Sequence, residues 1–189
     1  MITIVPYRPE WPAEFLVLGT EMRQALGELA ARIDHIGSTS VSGLAAKDII
    51  DVQITVQDLD HPIERALGRI GYRRLEGIWR DHVPPGAPAT ESEWIKWIFR
   101  PPEGGRLANV HVRLSGRLNQ RYPLLFRDYL RSHPASAEAY ASVKRALAGY
   151  HPDNVDAYYD VKDPVCDIIM VGAEEWASVV GWQPGASDC

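Results

Sequence analysis

The segment His35-Ile36-Gly37-Ser38-Thr39-Ser40-Val41-Ser42-Gly43-Leu44-Ala45-Ala46-Lys47-Asp48-Ile49-Ile50-Asp51-Val52-Gln53-Ile54-Thr55-Val56 decides how this chain is read. It opens with a Gly-Ser turn. Glycine permits a positive φ or a close backbone approach, and Ser and Thr hydroxyls beside backbone N–H groups suit an anion. Equally, Ser or Thr here caps a tight strand-to-helix turn. Residues 49–56 are rich in β-branched side chains and predict a buried strand. Asp51 lies inside that strand, where a carboxylate is costly unless a partner, a metal or a ligand offsets its burial. Lys47 either covers the strand end or reaches an anion beside Ser38. Gly43 is followed by Leu44 and the glycine-to-lysine spacing is wrong for a Walker A loop.

Working outward, Ile2-Thr3-Ile4-Val5 predicts a short strand closed by Pro6. Trp11, Phe15, Leu18, Met22, Leu26 and Leu29 keep helical spacing, so a helix is expected from near Pro9 to near Arg32. Residues 32–36 read as a strand leading into the turn. Asp60 caps a helix carrying Ile63, Ala66, Leu67 and Ile70, which Gly71 ends. Residues 72–75, 94–100 and 107–114 read as strands, the last two forming an antiparallel hairpin across Pro101-Pro102-Glu103-Gly104-Gly105. Period-two alternation puts Asn109, His111 and Arg113 on one face of the final strand and Val110, Val112 and Leu114 on the other. The polar face is either plain solvent exposure or faces Asp51. In the second case His111 is a general base or metal ligand and Arg113 an anion clamp.

From Leu118 the periodicity is helical. One helix runs to Pro134, a second spans residues 136–150, and a third runs from about Asp153 through Trp176, with a bend at Pro164. Residues 181–189 read as a loosely held tail. This order defines one α+β domain over residues 1–180, with a sheet from the N-terminal half and C-terminal helices from about residue 118 packed on it. His35 either orients a hydroxyl or contacts a phosphate, or is a satisfied structural histidine. Arg80-Asp81-His82 precedes a Pro-rich loop of the kind that closes over ligands, although most such charge clusters are only solvated. Lys96 alternates with Trp94 and Ile98 and points the same way. Arg127 and Arg131, one turn apart, are a salt-bridged helix face or an anion contact.

Composition sets the bounds. A chain of 189 residues with 46% hydrophobic and 24% charged residues is that of an ordinary globular domain. The net charge of -5 argues against a broad nucleic-acid surface but leaves room for a small basic pocket. Cys166 and Cys189 are too few for a disulfide framework, and no Cys/His metal spacing is present. The N-terminus lacks the basic start and apolar core of a signal peptide, and no apolar run approaches the roughly 20 residues of a membrane helix. A cytoplasmic location and no membrane partner are expected; oligomeric state is not encoded in any motif.

Several separated motifs, in order, resemble the GrpB family, a group within the nucleotidyltransferase fold superfamily. They are Val5-Pro6-Tyr7, Glu10-Trp11-Pro12 with Phe15, His35-Ile36-Gly37-Ser38-Thr39, Val41 with Gly43-Leu44-Ala45-Ala46-Lys47, and Ile49-Ile50-Asp51. His111-Val112, Leu125-Phe126-Arg127-Asp128-Tyr129-Leu130-Arg131, His133-Pro134, Tyr140 and Lys144 follow. The resemblance implies a nucleotidyltransferase-like mixed sheet flanked by helices, with the Gly37-Ser38 turn at a helix N-terminus. In active nucleotidyltransferases that turn holds nucleotide phosphates. Two alternating acids on the next strand and a third from a neighbour hold Mg²⁺. Here Asp51 matches the first acid and is the implied Mg²⁺ ligand. The second position is Gln53, and the third falls among Asn109, His111 and Arg113. One carboxylate cannot clamp two metals.

The resemblance therefore implies a protein that binds a nucleotide or other anionic small molecule, with group transfer as its chemistry. Gly37, Ser38 and Thr39 form the cradle. Lys47, Arg113 and Arg127 supply positive charge, with His35 and Gln53 alongside. Asp51 binds one Mg²⁺ or orients the acceptor, and His111 handles protons. Two other readings fit the missing acids. One is a non-catalytic accessory module, because GrpB-like domains resemble the segment fused to dephospho-coenzyme A kinases in some bacteria. The other is a metal-independent amino-acid- or amide-modifying enzyme.

Overall fold

β-Branched and aromatic runs between residues 32 and 114 pair into one mixed sheet in the computed structural model, which describes residues 1–189. Its strands are β1 (Arg32–Ile36), β2 (Ile50–Val56), β3 (Arg73–Arg74), β4 (Lys96–Arg100) and β5 (Ala108–Leu114), in the order β1-β2-β5-β4-β3. β2 and β5 run parallel; the other neighbours are antiparallel, including the expected β4–β5 hairpin.

The two faces of this sheet differ in chemistry. One face presents Ile33, Val52, Ile54, Phe99, Val110 and Val112 to helices α1 (Trp11–Leu26) and α2 (His61–Arg69). Helix α1 buries Trp11, Phe15, Leu18, Met22 and Leu26, the stripe read from the sequence, and holds Pro12 in its first turn, where a missing N–H costs nothing. It stops before Arg32. Gly27 adopts φ 53°, and a short 3-10 turn carries the chain to Leu29. Residues 2–5 do not form the expected strand. Val5 makes a single bridge to Ala46, and Pro6 offers no N–H to extend it.

The opposite face is polar and largely covered. It lies under α3 (Leu118–Ser132), α4 (Pro134–Tyr150) and α5 (Val155–Val180), which share a core built from Leu125, Leu130, Tyr140, Ala141, Met170 and Ala173. Val41, Leu44 and Ala45, from the connector after the Gly-Ser turn, join that core and tie the turn to the helices. Helix α5 runs on unbroken past Pro164.

The C-terminal tail is bound rather than loose, because β1 is an edge strand with free backbone groups. Ile33 N–H donates to Ser187 Oγ (2.8 Å), His35 N–H donates to Asp188 Oδ2 (2.9 Å), and Cys189 N–H donates to the Ile33 carbonyl (3.1 Å). Asp188 also receives Arg127 Nη1 at 2.7 Å. At about 1 kcal/mol per hydrogen bond, deleting residues 185–189 is expected to cost about 2–3 kcal/mol in urea denaturation. Unchanged stability would show that the tail merely rests on the edge.

Candidate functional site

Strand register decides which polar side chains meet. β2 and β5 align Asp51 with Asn109, Gln53 with His111 and Thr55 with Arg113, and β4 sets Lys96 opposite Arg113. Paired residues share a face, so these groups crowd together beneath α3, α4 and α5. Asp51, Asn109, His111, Arg113 and Lys96 line a cavity of about 380 Å³, together with Gly37 and Ser38 of the turn and the loop residue Asp81.

Gly37 adopts φ 70° and ψ -172°, a conformation open almost only to glycine. A Cβ there would stand 3.0 Å from Asp51 Cβ and collide with Asp51 Oδ2. Glycine is therefore required twice, by its dihedrals and by the carboxylate against it. The turn continues as one 3-10 turn, Ser38–Ser40, and does not open an α-helix. The expected helix N-terminus is absent, so positive charge at the turn comes from side chains.

Lys144 on α4 supplies it. This residue is 2% exposed, and its ammonium donates to Ser38 Oγ (2.8 Å) and the Ala45 carbonyl (2.5 Å) while lying over the Tyr140 ring. Burial, with help from Lys162 and Arg145 and against the nearby Cys166 and Asp51, pushes its pKa down to about 7. Lys47 reaches the same cavity, donating to Tyr159 Oη at 2.8 Å with its ammonium 4.7 Å from that ring centre. Neither lysine has a carboxylate among its hydrogen-bond partners.

Asp51 accepts a hydrogen bond from Asn109 Nδ2 (2.7 Å) and has His111 Nε2 at 3.9 Å from Oδ1; Oδ2 accepts none. Burial pushes its pKa up, but His111, Asn109 and the charge of Lys47 outweigh that and hold it below the ordinary carboxylate value. His111 is pushed down to about 4 by burial and by Arg113, so it is neutral at physiological pH. Arg113 Nη2 lies 3.4 Å from His111 Nδ1, which fits Nδ1 as acceptor and Nε2–H directed at Asp51.

Asp81 organises the far end. Its carboxylate accepts Arg113 Nε and Nη2 (2.8 and 2.9 Å), Lys96 Nζ (2.5 Å) and Asn119 Nδ2 (3.0 Å). Both basic side chains are nearly buried. Arg113 is thereby spent within the protein, with Nη1 on Gln53 Oε1 at 2.7 Å, and is not a free anion clamp.

The fold brings Gly37, Ser38, Thr39, Lys47, Asp51, His111 and Arg113 to one cavity, and sends three of the sequence candidates elsewhere. His35 points to the apolar face, stacked on Phe15 with ring centres 4.7 Å apart, and its Nε2 meets Thr39 Oγ1 at 3.0 Å. Burial lowers its pKa to about 4; it braces the turn. Gln53 is fully buried, bridging Arg113 and the Gln120 carbonyl (2.9 Å). Arg127 is 3% exposed and binds Asp128, Asp188 and the His35 carbonyl, fastening α3 to β1 and the tail. Lys144 and Asp81 are the functional candidates that sequence reading underweighted. Lys144 had a signal: it interrupts the buried stripe Ala137, Tyr140, Ala141 and Leu147 on α4, where a lysine needs a reason.

The residues do not fit a two-metal carboxylate clamp. Gln53 is committed to Arg113, Asn109 and His111 occupy the facing strand, and Asp81 is saturated by cations; no group of three or more His, Cys, Asp or Glu side chains converges as a metal site.

A mixed five-stranded sheet with an apolar face on two N-terminal helices, and a polar face lining an open cavity beneath three C-terminal ones, defines the class of protein. The chain belongs to the GrpB family: the family model described as GrpB protein matches residues 1–171. It is similar to the crystal structure of conserved protein GrpB from Enterococcus faecalis, with a TM-score of 0.74 and 30% identity over 92% of this chain and 99% of that one. It is also 37% identical to a dephospho-CoA kinase of Mycolicibacterium paratuberculosis over 97% of this chain but 48% of the relative. A UPF0157 protein of Halalkalibacterium halodurans is 34% identical over 89% of this chain and 80% of its own length. The chain thus spans about half the length of the dephospho-CoA kinases it matches. No helix is long and apolar enough to cross a membrane.

Proposed function

We propose that this protein binds a small anionic molecule, a nucleotide or another phosphorylated or carboxylate-bearing metabolite, and that group transfer to or from that molecule is the chemistry its cavity supports. The observation that carries the reading is the convergence of Lys144 and Lys47 near the Gly37-Ser38 turn, inside an otherwise acidic chain. A buried lysine without a carboxylate partner, as Lys144 is, is costly, and an anionic ligand offsets that cost. Asp51, ionised and partly open to the cavity, would accept a proton from the attacking group, with Asn109 Nδ2 holding that carboxylate and neutral His111 3.9 Å away. Tyr140, Tyr158 and Tyr159 provide aromatic walls.

Thermal melting with a panel of nucleotides, simple phosphates and carboxylates tests this. At least one anion is expected to raise the melting temperature, and Lys47→Met with Lys144→Met to remove the rise. Melting unmoved across the whole panel sinks the reading. The pH dependence follows from Lys144. Its ammonium is charged below about 7 and neutral above. Affinity for sulfate, whose own charge is constant there, is therefore expected to fall as pH rises from about 6 to about 8, by up to about tenfold. Isothermal titration reads it, and Lys144→Met is expected to flatten the profile.

A second reading is favoured by the match to half of the dephospho-CoA kinases: an accessory ligand-binding unit beside coenzyme A chemistry. It predicts that dephospho-coenzyme A is the strongest stabiliser in the same panel, with no turnover.

A further inference from the structure

We propose that the ligand of this cavity is a compact zwitterion, its anionic group held at Ser38 and Lys144 and its ammonium group at Asp51. The ligand then supplies the positive charge that a metal ion supplies in a carboxylate clamp. This rests on the anion-binding reading above and narrows it.

The argument begins with adjacency. Gly37 lies directly against the Asp51 carboxylate, and Ser38 follows it. An anion resting on Ser38 Oγ and Lys144 therefore comes close to an ionised Asp51. Like charges repel strongly at such separations in a half-buried site, so a positive group must lie between them. No cationic side chain of the protein donates to Asp51, and Arg100 stops one residue short, on Asn109 Oδ1. Lys96 and Arg113 are bound to Asp81, and Lys144 already faces the anion seat from the Ser38 side. Lys47 favours the ionised Asp51 by its charge, but its ammonium donates to Tyr159 and not to the carboxylate. Neutral Asn109 and neutral His111 are the groups beside Asp51, and both lie by Oδ1. Oδ2 has no hydrogen-bond donor, an acceptor well suited to an ammonium. A divalent metal between anion and carboxylate would need more ligands than this set offers.

The chemistry shared by possible ligands is one anionic group with an ammonium a few atoms away. α-Amino acids and aminoalkyl phosphates both have it. Isothermal titration of the whole protein in EDTA, against matched pairs, separates them: alanine with propionate, glutamate with glutarate, and phosphoethanolamine with ethyl phosphate. In at least one pair the aminated member is expected to bind about tenfold or more tightly, equivalent to one charge-assisted hydrogen bond. Whichever pair shows the difference identifies the source. Asp51→Asn, which keeps the shape of the side chain, is expected to erase that difference while the amine-free anion binds as well as before or better.

If amine-free anions match their aminated partners, the zwitterion proposal is overturned while anion binding stands. Binding that requires Mg²⁺ and vanishes in EDTA also overturns it, since a metal then bridges Asp51 and the anion. If nothing binds in any arm, with or without Mg²⁺, both readings fall. The paired comparison uses the unaltered protein, so it decides the matter even if Asp51→Asn fails to fold.

Discussion

Asp81→Ala is expected to destabilise the protein by about 3–5 kcal/mol, because it leaves two nearly buried cations without their counter-ion. Arg113 loses a two-pronged carboxylate contact and Lys96 loses its 2.5 Å partner. Lys96 already has a pKa lowered by burial despite Asp81, and without it would shed its proton more readily. Asp81 is a loop residue, and loop substitutions usually cost little; here the loop folds its carboxylate into the sheet's polar face.

The pH dependence gives a second handle on the same residue. Burial raises the Asp81 pKa, but Arg113 and Lys96 together hold it well below the ordinary carboxylate value. A carboxylate depressed in the folded state contributes its full stability above the unfolded pKa of about 4 and loses it as pH falls through the folded value. The native protein is therefore expected to weaken on acidification below about pH 4, and Asp81→Ala to lack that part of the decline. Urea denaturation at a series of pH values measures both effects. A pH-independent gap between native and variant would mean that the ion cluster is not what Asp81 contributes.

Local chemistry made most of the architecture legible. The α1 stripe, the β-branched run of β2 and the alternation of β5 each obey one short-range rule, and each buries the residues that rule selects. The register that sets Asp51 beside Asn109 is not local. It depends on β2 and β5 pairing in parallel across a long crossover, and only then does the polar face of β5 meet Asp51. The same limit explains the residues misplaced in the sequence reading. His35 and Arg127 sit beside recognisable motifs, but strand alternation turns His35 toward Phe15, and the tail's Asp188 captures Arg127. Gln53 stands in the sequence where the family fold has an acid. Its actual work, holding Arg113 beside His111, needed a partner sixty positions away. Lys144 is legible in retrospect as a lysine within an apolar stripe, and its partner Ser38 lies 106 positions away.

Gly37→Ala is the sharper test of the turn itself, because two independent penalties fall on one methyl group. The backbone penalty comes from φ 70° with ψ -172°, a region nearly closed to alanine, and costs about 1–3 kcal/mol. The packing penalty comes from the Cβ, which would stand 3.0 Å from Asp51 Cβ, and overpacking of that kind costs about another 1–3 kcal/mol. The second penalty cannot be relieved without moving Asp51 off Asn109, so loss of ligand binding should accompany the loss of stability. A double-mutant cycle with Asp51→Ala separates the two. Removing the carboxylate frees the space for the methyl group but leaves the dihedrals as they are, so Gly37→Ala should cost less in that background, by about 1–3 kcal/mol. An additive cycle would mean that the turn is held by its backbone alone. Coupling of the expected size would mean that the glycine is there to let the chain lie directly against the carboxylate, beside the proposed anion seat.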